Sequence, residues 1–248
     1  MSAIYILWLR ELKRYFRART YMIASLGQPL LFLLGLGFGF GPTFQKSGQG
    51  SYIQFLAPGV ISMTVLYSSV FSGIGLLWDR RFGFLKETLV APVPRLHIMA
   101  GKTLGGATVA LFQGTLVALI CVVAGFRVAS VTAIPLALLI MALIAIVFAG
   151  LGVGLGSLLE DMQGFQLIMN YLVMPIFFLS GALFPLDNLP KVLSVVTRLD
   201  PLAYGVDGLR TVLIGVSHFG VPTDLTVLSL IGIAFLCMGS YFFSKIQL

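Results

Sequence analysis

A chain of 248 residues that is 58% hydrophobic and 10% charged cannot coat a water-soluble globule. Soluble domains carry about 25% charged residues, so at a mean hydropathy of +1.01 most of this surface has lipid as its solvent. The formal net charge of +7 gathers at the ends of apolar segments, which points to anionic lipid headgroups and away from nucleic acid.

The length fits one domain, residues 1–248. Its first stretch, 1–19, is amphipathic. Arg10, Lys13, Arg14 and Arg17 recur at helical spacing, with Trp8, Leu12, Tyr15 and Phe16 on the other side. This predicts a helix lying in the membrane interface with Trp8 at headgroup depth. A signal peptide would place its charges ahead of a short apolar core, and here they follow the first apolar residues.

A span needs roughly 20 mainly apolar residues. Six segments qualify: Tyr21–Gly41, Phe55–Leu77, Thr103–Phe126, Ile134–Leu158, Phe165–Phe184 and Leu225–Phe243. They are separated by a Gly/Ser/Gln-rich break at Pro42–Ser51, a charged island at Asp79–Lys102 and a longer stretch at Asp187–Asp224 with Pro190, Pro201 and Pro222. Arg127–Ser130 and Glu160–Gly164 read as tight turns. One side of the membrane then receives Arg10, Lys13, Arg14, Arg17, Arg19, Arg80, Arg81, Lys86, Arg95, Lys102 and Lys245. The other receives Lys46, Arg127, Lys191, Arg198 and Arg210, a split of 11 against 5. The positive-inside rule places both termini and the island in the cytoplasm.

Two readings fit residues 187–214, where two apolar pieces flank Asp200-Pro201. They form broken helices that dip back toward the outer leaflet, which requires burial in protein or against a wet cavity, or they form an outer loop with amphipathic surface helices. Glycines at Gly35–Gly41, Gly150–Gly156 and the pair Gly101/Gly105 predict close packing of helix backbones.

The chain carries little chemistry. Gly101-Lys102-Thr103 resembles the end of a phosphate-binding loop, but the required preceding glycine is Leu96, and the segment enters a span. ATP, if used, must be bound by another chain. No metal pattern surrounds Cys121 or Cys237. Glu160-Asp161 reads as a span-ending cap. An ion-coupled carrier is the alternative reading, and it would place ionisable residues mid-membrane, where the six predicted spans have none. A lipid-modifying membrane enzyme would need a clustered polar site. In the island, Gly83 permits a sharp turn, Phe84, Leu85, Leu89 and Val90 supply a greasy side to a short helix, and Pro92 and Pro94 stop it. Such a helix either carries force between a soluble motor and the membrane or only sets topology.

Arg81, Gly83, Glu87, Leu89, Pro92-Val93 and Gly101-Lys102, followed by Phe184–Pro190 and Leu199–Arg210, resemble the permease subunits of type-2 class ATP-binding-cassette exporters. Asp200 stands where that family more often has Asn. The resemblance covers almost the whole chain. It implies an all-α integral membrane fold with six transmembrane helices, an N-terminal interfacial helix, a cytoplasmic coupling helix in 79–102 and re-entrant outer helices in 187–214. It implies a coupling helix, with Arg81, Gly83, Lys86, Glu87, Leu89 and Pro92, seated on a separate ATPase that holds ATP and Mg. Two ATPase copies would pair with two permease copies, identical or paralogous, in the plasma membrane. Pro185, Pro190, Pro201 and Arg210 would belong to the outer gate. Tyr67, Tyr171, Phe177 and Phe178 are candidate liners of a path between the two copies; the alternative is that they face lipid or neighbouring helices.

Overall fold

The computed structural model describes residues 2–46, 51–186 and 190–244, without the side chains of 44–46. The Lys46 side chain, residues 187–189 and Lys245 therefore lie outside the described residues.

The described residues form helices and no strand. Six helical stretches are long and apolar enough to cross a membrane: Arg19–Thr43, Tyr52–Arg81, Arg95–Val123, Val131–Leu158, Met162–Leu179 and Val221–Ser244. They are built from α2 (Arg19–Ala24) and α3 (Gly27–Lys46); α4 (Tyr52–Phe71) and α5 (Ile74–Arg81); α7 (Arg95–Val123); α8 (Ile134–Leu158) behind a 3-10 turn; α9 (Met162–Leu179); and α12 (Val221–Ser244). Outside the spans lie α1 (Ala3–Arg17), α6 (Phe84–Val90), α10 (Lys191–Leu199) and α11 (Pro201–Ile214).

The six predicted spans all appear, with shifted ends. The first is broken at Ser25-Leu26, and its second part runs through Pro42, which the sequence reading had placed in a loop. The third begins at Arg95 rather than Thr103, because the charged first turns continue an unbroken helix. The fifth ends at Leu179, and Gly181 takes a left-handed φ of +75° that turns the chain inward.

α8 is the central helix. It packs against α4, α7, α11 and α12, and Ile140, Ile144, Val147 and Phe148 are fully buried. Its glycines explain how. A Cβ on Gly152 would lie 2.3 Å from the Val70 carbonyl oxygen, and one on Gly73 would lie 2.1 Å from the Gly152 oxygen. Backbone thus rests on backbone at the α4–α5 break. Gly154 faces Gly239 of α12, where a Cβ would approach to 3.1 Å. The close packing expected at Gly150–Gly156 is present. At Gly35–Gly41 it is not: Gly35, Gly39 and Gly41 have open space beside them, and only Gly37 meets a neighbour, Ile53. α3 and α9 lie at the margin and expose Leu31, Phe38, Leu167 and Tyr171, as apolar surfaces facing lipid or another membrane chain do.

α1 lies along α7. Gly101 and Gly105 make this possible, since Cβ atoms there would fall 2.8 Å from Leu7 Cβ and 2.6 Å from Glu11 Cβ. The face α1 buries is Leu7, Glu11 and Tyr15, while the Trp8 indole N–H donates to Thr108 Oγ1 at 3.0 Å.

The two classes of glycine separate on substitution. Gly152→Ala should cost about 1–3 kcal/mol, because carbonyl oxygens cannot repack as side chains do. Gly39→Ala should be neutral or stabilising by up to about 1 kcal/mol through helix propensity. Thermal melting of the two variants in detergent measures the difference; equal melting points would contradict the packing described.

Candidate functional site

The island forms a short hairpin between two spans. α5 ends with Arg80 and Arg81, cations placed at the negative end of a helix dipole. Gly83 then adopts φ +78°, the left-handed conformation that a side chain resists. α6 follows with seven residues. Leu85 is 2% exposed and sits in a cluster with Leu7, Leu76, Ile98, Met99, Val153 and Phe243, and Leu89 packs against that cluster. Ala91 is extended, and Pro94 precedes the first turn of α7.

The expectation that Phe84, Leu85, Leu89 and Val90 form one greasy side of a short helix is corrected. With 3.6 residues per turn, positions i, i+1, i+5 and i+6 cannot fall on one stripe. Leu85 and Leu89 point inward; Phe84 and Val90 are exposed, Val90 at 78%. Arg81, Lys86, Glu87 and Pro92 are exposed as well, and Gly83 is half-buried. The outward face of α6 is therefore Lys86, Glu87 and Val90, with Glu87 in the first turn where the dipole favours a carboxylate.

Behind this hairpin lies a buried ion cluster. The Asp79 carboxylate of α5 accepts from Arg10 of α1 and from Lys102 of α7. Glu11 of α1 lies 2.6 Å from the Arg14 guanidinium, 3.5 Å from that of Arg10 and 3.6 Å from Lys102 Nζ. Side chains of Lys102, Glu11 and Asp79 are 5%, 10% and 12% exposed. The Arg10 guanidinium also lies 4.6 Å from the centre of the Phe84 ring. Sequence reasoning missed this cluster, and read Lys102 as a topology-setting cation and as part of the Gly101-Lys102 motif. The available signal was Glu11, an acid on the otherwise apolar side of a basic helix.

Beside α5, a cleft of about 550 Å³ is lined by Leu77, Arg80, Arg81, Glu160, Asp161 and Met162. Arg80 pairs with Glu160 at 3.0 Å, and Asp161 caps the start of α9 by accepting from the Gly164 amide, so the pair does not end the preceding span as the sequence suggests.

The opposite end of the bundle is organised by α11. Asp200 caps it, its Oδ1 accepting from the Leu202 amide at 2.9 Å, and Pro201 takes the first helical position. Burial pushes the Asp200 carboxyl up to about 7. Residues Leu202 to Arg210 are all buried, whereas most of α10 is exposed. Arg210 Nη2 donates to the Gly181 oxygen at 3.0 Å and to the Phe55 oxygen at 3.5 Å, with the guanidinium 4.0 Å from the Phe55 ring centre. Pro185 is half-buried and Pro190 exposed beside the undescribed 187–189. Asp207, not singled out in the sequence, accepts from the amides of His218 at 2.8 Å, Phe219 at 2.7 Å and Gly220 at 3.4 Å. A carboxylate inside the apolar run Val206–Leu209, followed by a Gly-containing turn, was its signal.

The aromatic residues proposed to line a path are not gathered in one cavity of this chain. Tyr67 is half-buried and stacks on Phe71; Tyr171 and Phe178 are exposed. Phe177 is 1% exposed and packs edge-on against Phe32, so it is a core residue of the subunit. Among the described residues, no group of three or more His, Cys, Asp or Glu is placed to hold a metal.

Six membrane-length helices, a short hairpin helix anchored at one end and the buried helix α11 at the other describe a polytopic membrane protein. Residues 2–214 match the model of the ABC-2 type transporter family. The chain belongs to that family. It is 30% identical over 213 residues to Nodulation protein J of Rhizobium leguminosarum bv. trifolii, covering 85% of this chain and 78% of that protein. It is 29% identical over 240 residues to the inner membrane transport permease YadH of Escherichia coli K12, covering 94% and 91%. To the putative transport permease ycf38 of Cyanophora paradoxa it is 28% identical over 217 residues, covering 85% and 73%.

Asp207→Ala should strand the amides of His218 and Phe219 and cost about 1–3 kcal/mol. Hydrogen–deuterium exchange at the α11–α12 turn should speed up in this variant. Unchanged protection there would show that the carboxylate does not hold the turn.

Proposed function

We propose that this chain is the membrane subunit of an ATP-driven exporter, located in the plasma membrane with both termini in the cytoplasm. Its energy comes from a separate ATPase subunit, present in two copies, which binds ATP and Mg; this chain binds neither. A second permease copy, identical or paralogous, completes the path. The cargo is a hydrophobic or amphiphilic compound of the drug, lipid or lipid-linked glycan type. Family membership and the name of the YadH relative as an inner membrane transport permease support this reading.

The observation that carries it is the construction of α6. The helix is too short to be stable alone, yet Leu85 is buried in a cluster drawn from α1, α5, α7, α8 and α12, and Lys86, Glu87 and Val90 face outward. A rigid, partly charged, partly apolar face projecting from the end of two spans suits a cleft on a soluble partner. Arg81, Gly83, Leu89 and Pro92 shape and hold it. ATP binding draws the ATPases together, moves α6, and shifts the permease between inward- and outward-open populations.

At the other end, α10 and α11 act as the re-entrant gate. Burial of α11 supports this, since backbone at membrane depth must be covered by protein. Arg210 holds that gate to α4 and to the α9 end, and Pro185, Pro190 and Pro201 set its bends. Tyr171 and Phe178, exposed on α9, and Tyr67 on α4 face the path or the second copy.

Co-purification from native cells in mild detergent tests the central claim. A stoichiometric ATPase should accompany the chain. Glu87→Arg should lose it, while the variant permease still melts like wild type because Glu87 is exposed. If Glu87→Arg retains the ATPase and its nucleotide-dependent activity, α6 is not the dock.

A further inference from the structure

We propose that Asp79 and Lys102 are positioning residues that hold α1 and the α5–α6–α7 hairpin together as one rigid body, so that a displacement of α6 is delivered to the membrane surface through α1. The link to an ATPase rests on the docking reading of α6; the clamp itself rests on geometry.

Asp79 lies in the last turn of α5, just before the chain leaves for α6. Lys102 lies two turns into α7, just after the chain returns. Their side chains meet, so the two roots of the hairpin are joined directly. α1 enters the same cluster twice, through Arg10 on Asp79 and through Glu11 beside Lys102. Arg10 continues to Phe84 of α6. One connected set of charges therefore touches all four elements.

Stability alone does not explain this construction. Buried ion pairs are often no more stabilising than apolar residues of the same size, but separating the partners is costly, because it leaves a buried charge unpaired. Here slip is also blocked sterically: Gly101 and Gly105 bring α1 so near α7 that Leu7 and Glu11 stand where a Cβ would be. Glu11 is held on the buried face of α1 by this approach and has the cluster as its surroundings. Beyond it, α1 exposes Lys13, Arg14 and Arg17, the cations suited to lipid headgroups. A motion of the hairpin is thus a motion of that basic stripe.

The test places spin labels at Lys13 on α1 and at Phe82, 72% exposed at the start of the hairpin turn. Cys121 and Cys237, the free cysteines, are first replaced by alanine and serine. Pulsed electron resonance distances are measured in the permease alone and in the ATPase complex trapped with ATP and vanadate. The expected result is a single narrow distribution, the same in both states. Lys102→Met should broaden it, Lys102→Arg should restore it, and Asp79→Asn should broaden it if Lys102→Met cannot be purified. A narrow distribution that survives Lys102→Met and Asp79→Asn, or a wild-type distance that shifts on trapping, overturns the proposal. Failure of the wild-type chain to bind any ATPase would sink the docking reading instead, and the distribution in the permease alone would still decide the clamp.

Discussion

The arrangement of one end of this molecule depends on placing Asp79, Glu11 and Lys102 out of water together. At an effective dielectric of about 20, two unit charges 4 Å apart interact by about 4 kcal/mol, and removing one partner from a buried pair typically costs about 3–5 kcal/mol. Neither figure describes net stability, since desolvation offsets most of the attraction. They describe a penalty for rearrangement. With Arg10 and Arg14 the cluster holds three cations and two anions, and the surplus positive charge falls to Arg14, whose side chain is 47% exposed. The rest of the island end follows from this: α1 must lie against α7, α5 must end where Asp79 reaches Lys102, and α6 must leave from that point.

The opposite end solves a different problem with different means. There the chain leaves regular helix at Ser180–Leu186 and again at Gly215–Gly220, and each irregular stretch frees backbone groups that need partners outside the helix ladder. Arg210 supplies donors to freed carbonyls, and Asp207 supplies acceptors to freed amides. Both residues lie on α11, three apart, so one buried helix satisfies the ends of α9 and α12 at once. Asp207 and Arg210 serve backbone; Glu11, Asp79 and Lys102 serve charged partners. The first kind fixes a local loop, the second fixes the relation of whole helices.

The sequence made the number and order of the spans legible because twenty-residue apolar runs have few other uses. It also revealed the charged island and the short helix within it. Their ends moved because hydropathy does not mark where a helix begins: Arg95 to Lys102 are helical but not apolar throughout. The packing role of Gly101 and Gly105 was readable from their spacing, whereas the identical argument failed for Gly35 to Gly41, because spacing says that a helix can be approached and not that anything approaches it. The ion cluster was hidden for a plainer reason. Glu11, Asp79 and Lys102 are far apart in sequence, and each has an ordinary explanation taken singly, as a helix acid or a span-end charge. Phe177 shows the converse: an aromatic on a span with two equally ordinary faces, which tertiary packing, Phe32 included, places in the core.

Taken by itself, α6 owns almost no stability. Seven residues cannot sustain a helix in water, and its neighbours Gly83 and Pro92 give it sharp ends rather than support. Its helical state is borrowed from Leu85 and Leu89, which rest on Ile98 and Met99 of α7, Leu76 of α5, Val153 of α8 and Phe243 of α12. A displacement of α6 therefore cannot occur without disturbing those side chains. They join it to the first turns of α7, and Phe84 joins it through Arg10 to α1 and Asp79. A helix that cannot stand alone is thus seated where α1, α5, α7, α8 and α12 converge.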